Sequence, residues 1–196
     1  MPVNRITAPA RRRFVAALAA LVLAGCAAPQ AAPATAKLDR LLHLIGQRLG
    51  YMDDVARNKW NSGAPIEDLP RERAIIDEIG AQAAGYGLDP AFARDFFRAQ
   101  IEASKTIQRA RFTEWHAKKQ PPFSNVVDLR DRIRPALDEL TPELMKALAV
   151  ALPELRAGGG TALVRRRVNV ITANDGSDIA ARETAVAPLL AYPQSR

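Results

Sequence analysis

An all-α fold, a single helical domain built around one unusually long central helix, is what this chain predicts. Three observations lead there. Apolar residues recur at helical spacing through Leu38, Leu41, Leu42, Ile45, Leu49, Met52 and Ala56. Helix-opening and helix-stopping signals alternate along the chain from there on. Between Asp89 and Pro121 one pattern continues for about 30 residues, roughly 45 Å of helix.

Before the helices comes a targeting segment. Arg11-Arg12-Arg13 precede an apolar run from Phe14 to Ala24, then Gly25-Cys26. A basic region followed by a short apolar one marks residues 1–26 as an export signal, too brief for a membrane span. Leu23-Ala24-Gly25-Cys26 resembles a lipoprotein signal, with Cys26 lipidated as the mature N-terminus. A plain secretory peptide without anchor is the alternative, and Arg-Arg-Arg-Phe-Val also resembles a twin-arginine signal. Residues 27–36 are Ala/Pro-rich and expected to form a flexible tether, and the helical domain is expected over 37–191.

The first helix should run from Lys37 to Trp60 and stop at Asn61-Ser62-Gly63-Ala64-Pro65. Asp68 or Pro70 opens a second, through Ala84, closed by Gly85 and Gly87. Asp89-Pro90 reads as an N-cap with proline at the first helical position, and Pro121-Pro122 stops the long third helix near Lys119. A fourth helical region covers Asp128–Leu155, with Thr141-Pro142 expected to divide or kink it. Gly158-Gly159-Gly160 is a break. Leu163–Ile171 has β-branched character around Arg165-Arg166-Arg167, Asp175-Gly176-Ser177 is a turn, and a last helix covers Asp178–Leu190.

Charge excludes one class of partner. Of 28 basic residues, Arg5, Arg11, Arg12 and Arg13 precede Cys26 with no acidic residue, leaving 24 basic against 21 acidic, a net of +3. The high pI of about 10.1 is thus largely a property of the signal, and no nucleic-acid partner is expected. Cys26 is the single cysteine, so no intrachain disulfide forms. His43 and His116 lie far apart without a companion ligand, so no zinc site is expected.

Chemistry concentrates at the margins of two stripes. At 100° per residue Arg48 and Lys59 project within roughly 20° of each other beside the first stripe. Two cations at a core edge repel and lose hydration unless an anion meets them, either a protein carboxylate or a ligand. In the long helix Ser104 and Gln108 fall inside the stripe marked by Phe97, Ile101 and Trp115, with Arg111 adding a charge to the same side. Either a closed hydrogen-bond network or a cavity would satisfy them.

The order Arg48, Lys59, Asp68, Arg71, Glu72, Ser104, Gln108 resembles the all-helical (AroQ-class) chorismate mutases, specifically the secreted, periplasmic (gamma) subclass. The local matches are Gln47-Arg48-Leu49, Lys59-Trp60, Pro65-Ile66-Glu67-Asp68 before Arg71-Glu72, and Ser104 with Gln108 ahead of Arg111-Phe112 and Trp115. Arg134-Pro135-Ala136-Leu137-Asp138 adds a weaker match. The resemblance implies an isomerase that converts chorismate to prephenate by a [3,3] rearrangement, without cofactor or metal. It implies catalytic roles for Arg48, Lys59, Arg71 and Gln108. Arg48 would hold one substrate carboxylate, while Lys59 would reach a carboxylate and the ether oxygen. Gln108 would donate to the other side of that oxygen, and Arg71 would contribute charge. Ser104 and Arg134 would bind carboxylates, with Glu72 and Asp68 near the ring hydroxyl.

The chain departs from relatives at two positions. Some secreted members carry Glu where Gln108 stands, and one can carry Gln where Ile75 stands. On wheel geometry Arg130 points at the stripe through Ile133, Leu137, Leu144 and Leu148 better than Arg134 does, and the resemblance favours Arg134. The plainer account of Arg48 and Lys59 is snorkelling charges paired with Asp53, Asp54 or Asp77. A lipid-anchored module binding dicarboxylates or a protein partner would also use a basic pocket, but has no special use for Gln108. A pyruvate-removing lyase lacks a marked acid or base. The subclass implies a periplasmic protein, anchored to the outer membrane if Cys26 is lipidated. A homodimer stays open.

Overall fold

In a computed structural model, residues 35–157, 159–170 and 179–193 are described, together with Met1. The expected signal, Cys26, most of the tether, Ile171, the turn at 175–177 and Asp178 lie outside the described residues. Among the described residues there are seven α-helices: α1 (Ala36–Gly50), α2 (Met52–Ser62), α3 (Leu69–Gln82), α4 (Pro90–Ala117), α5 (Arg134–Arg156), α6 (Gly160–Arg167) and α7 (Ile179–Leu190). Among the described residues there is no strand. The helices form one packed unit within residues 32–196.

Helix α1 buries Leu38, Leu41, Leu42, Leu44, Ile45 and Leu49, the stripe legible in the sequence. The expected single first helix is interrupted at Tyr51, and α2 starts one residue later. Gly50 stands at the joint, where its poor helix propensity weakens the ladder. Gly63, at φ +66°, closes α2 in the left-handed conformation, and the Ala64 N–H reaches back to Lys59 O at 3.1 Å. In α3 the Asp68 carboxylate accepts the Arg71 N–H and Pro70 sits in the first turn. A short 3₁₀ turn, Ala83–Tyr86, then carries the chain to Gly87 at φ +72°.

Helix α4, at 28 residues, is the spine. Its Asp89 cap accepts the Phe92 N–H at 2.8 Å, and Pro90 follows at the first position. It packs against α7, α3 and α2. The fourth helical region differs from expectation in two ways. It opens with a π-type turn over Leu129–Ile133, and α5 then runs through Pro142 and Pro153 without being divided. The Thr141 hydroxyl donates to Leu137 O just before Pro142, and buried Leu144, Met145 and Leu148 hold the helix to the core beyond it.

Leu163–Arg167, read as β-branched in character, is helical. Its face is set by tertiary contacts, because Gly160 and Val164 are buried and Arg167 forms a two-pronged ion pair with Asp39 of α1. Helix α7 lays Ala181, Ala185, Val186 and Leu189 on the core. Gln100, fully buried in α4, donates from Nε2 to Ala185 O at 2.8 Å and pins α7 there.

Two glycines decide a turn. Gly159 at φ +92° caps α6, and a Cβ on the next residue, Gly160, would fall inside the backbone of Leu155. Gly160→Ala is therefore expected to lower stability by about 1–3 kcal/mol, the usual cost of overpacking. Urea denaturation checks this, and an unchanged midpoint would show that the turn yields freely.

Candidate active site

Helices α1 to α5 enclose a cleft of about 540 Å³ whose lining includes Arg48, Lys59, Asp68, Arg71, Glu72, Ser104, Gln108 and Arg134. All eight residues to which the resemblance gives a role at the substrate thus line one cleft. Arg48 enters from the end of α1 and Lys59 from α2, three turns apart along the chain. Asp68, Arg71 and Glu72 come from the capped first turn of α3, whose geometry the Asp68 side chain holds. Ser104 and Gln108 come from consecutive turns of α4.

The two polar groups on α4 are 6% and 4% exposed. Ser104 Oγ donates to Gln100 O at 2.7 Å, so its oxygen lone pairs are what it offers without rotating. Gln108 Nε2 donates to Ser104 O at 3.1 Å, and Met52 Sδ, a weak acceptor, lies 3.9 Å from it. One amide hydrogen therefore lacks a strong acceptor, and Gln108 Oε1 makes no hydrogen bond within the protein. This is not the closed network that would make the pair purely structural.

The charges sort in the same way. Arg71 pairs with Asp138 at 3.2 Å, Arg134 with Asp68 at 3.6 Å, and Lys105 with Glu72 at 3.1 Å. Among the described residues, Arg48 and Lys59 form no ion pair. Asp53, a candidate partner for them, is instead engaged by Arg57 and Arg111 at 2.8 and 2.6 Å. Lys59 Nζ donates to Ile66 O at 2.5 Å. Burial pulls its pKa below the ordinary lysine value, and the carboxylates of Asp68, Glu72 and Glu67 work in the opposite sense. Arg48 is pushed down to about 10, first by burial and then by the charge of Arg71, while Asp138 acts to raise it. Its Nε is enclosed and without a hydrogen bond in the protein. Two cations of the cleft thus stand without a direct ion pair, although carboxylates line the same walls.

Arg134 is half-buried on the cleft wall, whereas Arg130 is exposed and outside the lining. The π-type turn explains the failure of the helical wheel here: it shifts the angular phase between Arg130 and the rest of α5. Arg111, which the wheel placed beside Ser104 and Gln108, turns to Asp53. Sequence reasoning missed Lys105 and Asp138 as cleft residues. Lys105 follows Ser104 directly, and a lysine next to a polar pair on a buried face was the available signal. Asp138 stood only inside the weaker match after Arg134, without a role, and it reaches Arg71 across 67 residues. Ile75 lies on the wall, as an apolar contact.

Residues 36–109 match the family model of chorismate mutase type II. A secreted chorismate mutase of Mycolicibacterium smegmatis is 31% identical over 145 residues, covering 74% of this chain and 80% of that protein. Among solved structures, chorismate mutase from Burkholderia thailandensis superposes with a TM-score of 0.72 at 36% identity, covering 78% of this chain and 98% of its own. The chorismate mutase of Burkholderia phymatum gives 0.73 at 30%, with 81% and 98% covered. Shared fold, shared sequence over most of the chain and a cleft in which two cations form no ion pair lead to one conclusion: the chain belongs to the type II chorismate mutases.

Proposed function

We propose that the cleft binds chorismate and rearranges it to prephenate, with Arg48, Lys59, Arg71 and Gln108 as its catalytic groups. The observation that carries this reading is the pair of cations without an ion pair, Arg48 and Lys59, facing a volume that also contains an under-used amide. Chorismate is a dicarboxylate, and its carboxylates offer partners to Arg48 and Lys59, which form no ion pair among the described residues. The rearrangement is unimolecular and gathers negative charge on the breaking ether oxygen. A folded substrate conformer and fixed donors aimed at that oxygen are what accelerate it.

In this reading Arg48 grips one carboxylate through its planar fork, and Lys59 serves a carboxylate and the ether oxygen. Gln108 Nε2 meets the same oxygen from α4. Ser104 and Arg134 take the remaining carboxylate contacts, and Glu72 with Asp68 receives the ring hydroxyl. Arg71 and Arg134 must exchange Asp138 and Asp68 for substrate, and both pairs are accessible enough to part at low cost. The direct test is incubation of the signal-free protein with chorismate and measurement of its absorbance loss; no enzyme-dependent loss overturns the reading.

The pH profile follows from the shifts. Lys59 must be protonated, and its lowered pKa means that the free protein loses that proton at a pH below the usual lysine range. A bound dianion favours the ammonium. The alkaline limb of kcat/KM, which reports the free enzyme, is therefore expected at lower pH than the limb of kcat. Gln108 is neutral and adds no acidic requirement. Rates measured from about pH 5 to 11 check both limbs, and a collapse above about pH 6 would contradict the amide's role.

We also propose that the protein is exported to the periplasm, as names of relatives such as the secreted enzyme of Mycolicibacterium smegmatis suggest. Lipidation of Cys26 would hold it on the outer membrane. Labelling with a fatty-acid probe, lost in Cys26→Ser, tests the anchor. All eight proposed site residues come from one chain, so a homodimer would carry two independent sites.

A further inference from the structure

Lys105 is the buried charge that the proposed chemistry does not use. It lies on α4, one residue beyond Ser104, with 7% of its surface exposed. Lysine is rarely buried without partners, and here it has two. Its ammonium meets Glu72 Oε2 at 3.1 Å and Glu102 Oε1 at 2.6 Å. Burial works against the charge, but the hydrogen bonds that Lys105 donates to Glu102 and Glu72 outweigh it and leave Lys105 above its ordinary range.

The consequence is felt by Glu72. Its Oε1 accepts the Asp68 N–H at 3.2 Å, so one oxygen is held by backbone and the other by Lys105. Each oxygen keeps a lone pair for the cleft, in a fixed direction. An unneutralised carboxylate on that wall would repel an incoming dianion, and a mobile one would lose aim.

We infer that Lys105 is a positioning residue that neutralises and orients Glu72 for the hydroxyl of the bound substrate. This rests on the proposed assignment of Glu72. Glu102, half-exposed on the far side, completes the shell around the ammonium.

The test uses full-domain variants with two substrates, chorismate and an analogue lacking the ring hydroxyl. Lys105→Met is expected to raise KM for chorismate roughly tenfold while kcat changes less than about threefold, the scale of one charge-assisted hydrogen bond. The rise shrinks with the analogue, and Lys105→Met adds nothing further on a Glu72→Gln background. Lys105→Arg, which keeps the charge, restores KM to within about threefold. Lys105→Gln loses the charge but keeps a donor, and it gives the same substrate-dependent rise where Lys105→Met does not fold. An equal rise for both substrates, effects that add with Glu72→Gln, or an unchanged KM would each overturn the inference. Failure of the wild-type protein to consume chorismate would instead overturn the reading beneath it.

Discussion

Lys59→Met is expected to leave a folded protein that turns over chorismate about 10³-fold more slowly, the cost of removing a fixed donor aimed at developing charge. Two contributions disappear together: attraction to a substrate carboxylate, and stabilisation of the ether oxygen as its bond breaks. The second exists only in the transition state, so most of the loss should fall on kcat. Stability should hardly change. The variant forfeits the hydrogen bond to Ile66 O, but it also sheds an ammonium that burial already disfavours. Steady-state kinetics with a melting curve check both halves. A variant within tenfold of wild type would mean that Lys59 only fills the wall.

Gln108→Glu should produce an enzyme with inverted pH behaviour. At neutral pH the new carboxylate is ionised, repels the dianion and cannot donate, and kcat/KM should fall by roughly 10²–10³. Acidification protonates it and returns a donor at the same place, so the rate should climb toward about pH 5 while wild type stays level. The side chain is 4% exposed, and this burial favours the protonated form, whereas Arg48 and Lys59 in the same cleft favour the carboxylate and hold recovery on the acidic side. Equal loss at every pH would place Gln108 outside the reaction.

Part of this site was legible in helical spacing, and the rest, Asp68, Arg71, Glu72 and Arg134, only in the resemblance. Arg48 and Lys59 beside one stripe, and Ser104 with Gln108 inside another, follow from 3.6 residues per turn. The caps at Asp68 and Asp89 follow from residue type. What escaped depends on contacts far along the chain or on departures from regular geometry. The interruption at Tyr51 needs only one weak position, Gly50. The choice between Arg130 and Arg134 depends on a π-type turn, which has no sequence period to detect. The helix over 160–167 forms where buried Val164 and the Asp39 ion pair override a β-branched composition. Lys105 stood in plain sight beside Ser104, but its partner Glu72 is 33 residues away.

Two ties described above span much of the chain: Gln100 to Ala185, 85 residues apart, and Asp39 to Arg167, 128 apart. Contacts of that reach are slow to form, because a long segment must be searched before it is fixed. They give folding a direction. As the chain is synthesised, α1 and α4 emerge early with apolar faces open, and the residues that cover them arrive last. Removing residues beyond 160 should therefore leave every proposed catalytic group in the chain while uncovering the spine that holds them, so such a truncation fails by aggregation rather than by chemistry.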